Sequence, residues 1–225
     1  MSVMDIIKNI QSFLGGKGKN RGRHPNERYA SFDYCYNYFY SFYKQKKIKE
    51  IASKENLQIS CLQLGFYLAS WGMLRGSSFL LERSVKKLER VIKTISEMDK
   101  ILWEIDVNKY TYDNINILLD CKKKIIESFG KDKPSDTLVT KIMLGVFANV
   151  PAFDQYFRKS FRHLGVFTFN KKSLINIAEF YEQNKKELNS FEIFTLDFMT
   201  SEETDIRYTK AKLIDMCGFI EQFKK

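Results

Sequence analysis

The sequence is short of proline, histidine and paired cysteine, and each shortage narrows what the chain can be. Only three prolines occur in 225 residues, Pro25, Pro134 and Pro151, so long stretches run without the residue that most strongly interrupts helices. The four cysteines, Cys35, Cys61, Cys121 and Cys217, make no Cys-x-x-Cys pair or other zinc-ligand spacing. Reduced, buried thiols are expected, and no metal site. With only His24 and His163 available, acid–base chemistry near neutral pH has few candidates. No His-Glu-x-x-His, Gly-x-Ser-x-Gly or dinucleotide-binding glycine pattern is present, so no cofactor is expected. Met1 to Leu14 is weakly apolar, carries Asp5 and Lys8, and lacks the composition of a secretory signal. A cytoplasmic location is the expectation.

What is present describes a folded, helical chain. Hydrophobic residues at 44% and charged residues at 28% are far from the composition that leaves a chain disordered, and the length suits one domain over residues 1–225. Asn56 to Leu74 carries no charge over 19 positions, about the length of a bilayer span. Its polar residues Asn56, Gln58, Ser60, Gln63 and Ser70 argue against hydrocarbon, and Leu57, Cys61, Leu64, Leu68 and Trp71 form a helical stripe. A core helix is expected there, approached closely at Gly65, Ala69 and Gly72, and no membrane span.

Further helices are expected over Met4–Leu14, ended by Gly15-Gly16, and over Phe32–Tyr43. A long helix capped by Ser77 should carry Leu81, Val85, Leu88, Ile92, Ile95 and Leu102 on one edge. Thr111 to Gly130 and Ser135 to Asn149 read as capped helices, Pro151 as the opening of another. Lys171–Leu188 and Glu203–Phe223 complete the series. Residues 166–169 and 193–198 are β-branched and aromatic enough for a short strand pair. The expected class is all-α, with seven to nine helices.

The net charge is +10 and unevenly placed. Residues 1–54 hold eleven basic and four acidic side chains, including Lys17, Lys19, Arg21 and Arg23 in a flexible glycine-rich loop at 15–28. That loop lacks the Gly-Lys-Ser/Thr ending of a phosphate-binding P-loop. A second run, Gln155–Ala178, holds Arg158, Lys159, Arg162, Lys171 and Lys172 and no acid. Clustered positive charge attracts RNA, DNA or anionic lipid, or is a solvated surface. Phe32, Tyr34, Tyr36, Tyr38, Phe39, Tyr40, Phe42 and Tyr43 crowd one helix, which can fill a core, form a homodimer seam or stack on bases.

Arg158-Lys-Ser-Phe-Arg-His163 has the Arg-x-x-x-x-His spacing and resembles the signature of HEPN proteins, a helical superfamily that includes metal-independent ribonucleases of prokaryotic toxin and antiphage systems. The resemblance implies two copies facing each other, with His163 as general acid/base at the RNA 2′-hydroxyl or leaving oxygen and Arg158 holding the phosphate. Lys159 stands where that family usually has a polar Asn, Asp or His. The stretches Leu64–Gly76 and Gly145–Phe157 look like segments of an uncharacterised bacterial all-helical family, which implies no activity. Three readings follow: a basic nucleic-acid-binding or interaction protein without catalysis, a HEPN-like ribonuclease, and a homodimeric adaptor.

Overall fold

The computed structural model describes residues 4–16, 21–76 and 78–223, and the expected sites at Lys17, Lys19 and the Ser77 cap lie outside them. Among the described residues, ten α-helices and one small sheet surround a single contiguous hydrophobic core. No described helix is long and apolar enough to cross a membrane.

Helix α1 (Ile6–Gly15) starts on Asp5, whose carboxylate accepts from the Lys8 amide, and stops at Gly16 at φ 71°. It lies against the last helix, α10 (Lys210–Phe223), where the Asn9 side-chain Nδ2 donates to Glu221 at 2.8 Å. The aromatic helix α2 (Ala30–Lys44) runs through the middle. Phe32, Tyr36 and Phe39 are buried and Tyr34, Tyr38, Tyr40, Phe42 and Tyr43 half-buried, most of them in ring-to-ring contact. Three of its eight aromatics lie wholly in the core and the other five sit at the core's edge, partly open to solvent. Helix α3 (Leu57–Ser70) buries Cys61, Leu64 and Leu68 as the stripe requires, while Ile59, Leu62 and Phe66 face outward.

Two glycines set how closely the helices pack. A Cβ on Gly145, in α6 (Asp136–Phe147), would lie 2.5 Å from the Tyr67 ring of α3. One on Gly218 would lie 2.6 Å from Phe157 in α7 (Gln155–Ser160), where Ser160 Oγ donates to the Gly218 carbonyl at 2.6 Å. Removing a methyl at each point lets the backbones approach, and the facing ring fills the gap.

Several expected boundaries move. The long helix over 77–102 is instead a chain of short pieces, 3-10 turns at Phe79–Glu82, Val85–Leu88 and Lys100–Trp103 around α4 (Glu89–Ser96). Ser78 and Asp99 each cap a 3-10 turn, and Arg83 and Ser84 are extended. The apolar spacing survives because 3-10 turns also align positions three apart. Helix α5 (Tyr112–Ser128) is capped by Thr111 and α6 by Ser135, both as expected. Pro151 does not open a helix; α7 begins on Asp154, which caps it. The 171–188 helix breaks at Asn184 into α8 (Lys171–Gln183) and α9 (Lys185–Asn189).

The strand pair exists with a different partner. β1 (Phe194–Leu196) pairs antiparallel with β2 (Glu203–Arg207), where a helix was expected, and residues 166–169 form no strand. In β2, Thr204 and Ile206 alternate with exposed Glu203, Asp205 and Arg207, a period of two that suits a strand. Val166 and Phe169 are buried from irregular chain, with the Phe169 amide held by Asp136 at 2.8 Å.

Candidate anion-binding cleft

A cleft of about 890 Å³ opens where five parts of the chain converge. Arg21, Arg28 and Tyr29 enter from the α1–α2 loop, and Trp71 to Arg75 from the turn after α3. Lys133, Ser135, Thr137 and Lys141 come from the start of α6, Tyr156 and Arg158 from α7, and Phe219 and Phe223 from α10. Six basic side chains thus meet two acids, Glu27 and Asp154.

The pairing of these charges decides what the cleft can hold. Arg21 reaches Glu27 at 3.3 Å across open solvent, an arrangement that contributes little. Arg28, Arg75, Lys133 and Arg158 are exposed and have no carboxylate within ion-pair distance among the described residues. The Arg28 guanidinium lies 5.3 to 5.8 Å from the ring centres of Tyr29, Trp71 and Phe219, which position it without neutralising it. The aromatic wall continues through Trp71, Phe219 and Tyr156.

Beneath the wall lies a buried ionic layer. Lys141, with 5% of its side chain exposed, reaches Asp154 at 3.4 Å. Asp154 also accepts from the Tyr156 and Phe157 amides at 2.9 and 3.0 Å, and so starts α7. Deeper still, Lys212 pairs with Asp215 at 3.2 Å with its ammonium 4.4 Å from the Phe32 ring centre, and Asp215 accepts from the Ala152 amide. Burial lowers the Lys212 pKa and raises that of Asp215, each pair partner opposing the change in the other. Such a pair is costly to break because the remaining ion would be stranded out of water.

Arg23 was expected in the basic surface and is instead turned inward. It lies 3.5 Å from Asp33 and 3.0 Å from Glu203, donates to the Phe194 carbonyl, and its guanidinium rests over Tyr208. Tyr208 donates to Asp33, which also accepts from the Leu196 amide at 3.1 Å. Burial pushes the Asp33 carboxyl up to about 6 despite Arg23 beside it. Arg23 therefore ties the loop to α2 and the sheet, and it offers nothing to a surface ligand.

The remaining expected residues separate. Arg158 lines the cleft and its Nε is 3.4 Å from the Asp154 carbonyl. His163 is exposed on the following 3-10 turn, Arg162–Leu164, ended by Gly165 at φ 76°, and does not line the cleft. Lys159 and Lys172 are exposed elsewhere, Arg162 sits 6.0 Å over Phe167, and Lys171 sits 3.6 Å over Tyr112. His24 is exposed. The four cysteines are buried thiols, and no group of three possible metal ligands occurs among the described residues.

Sequence reasoning passed over Arg28, Arg75, Lys133 and Lys141. One signal was there to find: a lysine inside the apolar run Leu138-Val-Thr-Lys-Ile-Met-Leu144, and a Lys-x-x-Asp inside Ala211–Phe219. Isolated charge in a buried helix requires a partner or a ligand. Compared with known families, curated proteins and solved structures, the chain matches none.

Proposed function

We propose that the protein binds single-stranded nucleic acid, with the backbone tracked by the cleft's cations and bases stacked against its aromatic wall. One observation carries the reading. Arg28, Arg75, Lys133 and Arg158 surround one concavity without carboxylate partners among the described residues, beside half-buried Trp71 and Tyr156. Cations left unpaired around a cleft focus the field on an incoming polyanion. Aromatic faces beside them favour unstacked bases over a duplex, whose faces are already covered.

Binding of short labelled RNA and DNA single strands, followed by anisotropy from low to physiological salt, tests this. Four phosphate contacts predict that log K falls with log salt at a slope of about −3, since each contact on a single strand contributes about 0.7. Arg28→Gln with Arg158→Gln should flatten that slope by about 1.4 and leave the melting temperature unchanged. Absence of binding at every salt, or a double variant that binds like the parent, overturns the proposal.

A further inference from the structure

We infer that the floor of the cleft receives a terminal phosphate, so that the ligand is a nucleotide carrying a phosphomonoester, either a strand end or a free mononucleotide. The inference deepens the single-strand reading and rests on it for the strand-end case. It begins from Lys141, the one cleft cation taken out of water. An ammonium has three donors. Among the described residues that of Lys141 makes a single hydrogen bond, to Asp154 at a long 3.4 Å. Nearly all of its side chain is buried, yet it borders the cleft.

The shape of the floor argues for an end and against a continuous backbone. Lys141, Trp71, Asp154 and Phe219 border both the cleft and a void of only about 10 Å³ beneath it, which Lys212 and Asp215 close from the other side. A chain cannot continue through such a floor. An internal phosphodiester, attached on both sides, would have to bend double to reach Lys141, whereas a terminal phosphate has one attachment and three free oxygens. It also carries about −1.5 to −2 charge near neutral pH, against −1 for a diester. A deep ammonium with unused donors is suited to that greater charge.

Neighbouring groups complete the seat. Thr137 and Lys141 are one turn apart on α6 and both line the cleft, as does Ser135, the cap of that 12-residue helix. Ser135 Oγ takes the Leu138 amide, and the partial positive charge of this helix end favours an anion. Arg158 lines the same cleft from α7. The nearby carboxylates are each engaged: Glu27 by Arg21, Asp136 in the first turn of α6 by Lys122, and Asp154 through its Oδ1 by two amides of α7 and through its Oδ2 by Lys141.

The test compares the same short oligonucleotide with a 5′-phosphate, with a 3′-phosphate and with hydroxyls at both ends. One terminal phosphate is expected to tighten binding about tenfold or more, the scale of added hydrogen bonds to a charged group. Lys141→Met should reduce that ratio to near one; because it strands Asp154 and could unfold the chain, Arg158→Gln on the surface is measured beside it and should also reduce the ratio. Equal binding of all three oligonucleotides by the parent protein overturns the inference while leaving the cleft as a single-strand site. A nucleoside monophosphate that binds, where its nucleoside and every oligonucleotide fail, upholds the phosphomonoester and overturns the strand reading. If none of these ligands binds, both fall.

Discussion

Arg23 and Arg28 are five residues apart in one loop and have opposite fates. Arg23 is inside, held by Asp33, Glu203 and the Phe194 carbonyl; Arg28 is outside, leaning on three aromatic rings with no carboxylate near it among the described residues. The first arginine is a fastener and the second is available. Net charge counts them alike, so composition could not separate them. What separates them is whether the fold supplies an acid, and here it supplies Asp33 from α2 and Glu203 from β2.

The largest effect should come from breaking the fastener. Asp33→Ala leaves the Arg23 guanidinium buried beside a hole, and loss of one partner from a buried pair costs about 3–5 kcal/mol. For a chain of this size that is a fall of roughly 10 °C in melting temperature, readable by calorimetry. The Arg28→Gln, Arg158→Gln double variant should show no such fall. If the two proteins melt alike, the distinction between fastened and available arginines is wrong.

A subtler change sharpens the same contrast through pH. The Asp33 pKa is raised from 3.8 to about 6 in the folded state, so the folded protein holds that proton more tightly than the unfolded chain. The stabilisation is complete below the unfolded value and is lost as pH rises through about 6, a change of roughly 3 kcal/mol. Urea unfolding of the parent and of Asp33→Asn across this range should show the parent losing stability relative to the variant as pH rises. A relative gain would mean that Arg23 outweighs burial and keeps the carboxylate ionised.

The smallest effect is expected at His163. Exposed on its turn and outside the cleft, it should change to alanine with less than about 0.5 kcal/mol effect on stability and no effect on oligonucleotide affinity. Assaying RNA for cleavage in EDTA gives this variant a second use. Cleavage by the parent that disappears in His163→Ala would move the chemistry from the cleft to the Arg158–His163 spacing.

The sequence made the helical class and most helix starts legible where a side chain acts locally, as Thr111 and Ser135 do at their caps. It misled where tertiary contacts choose between local options of similar energy. Residues 79–103 keep a helical apolar period, yet the caps at Ser78 and Asp99 and the extended Arg83 and Ser84 divide them. Residues 203–207 contain a two-residue alternation too short to stand out, and they become a strand because β1 lies beside them. The site was harder to see. Its basic residues come from segments around 21–28, 75, 133–141 and 158, and of the expected basic residues only Arg21 and Arg158 are among them. The rest of the two basic runs gave one inward arginine, two residues outside the described chain and four cations that do not line the cleft.

Helix α10 gives the molecule an order of events in time. Its start is capped by Asp106, its middle receives Ser160 Oγ, its end is tied to Asn9, and Phe219 and Phe223 form one wall of the cleft. Every one of those partners is made at least 58 residues earlier. A ribosome adding residues from the N-terminus will therefore have exposed Arg28, Trp71, Lys141 and Arg158 well before the segment that joins them has left the exit tunnel. The nascent chain carries the cations without the cavity, which is complete only once this helix has been made and has docked.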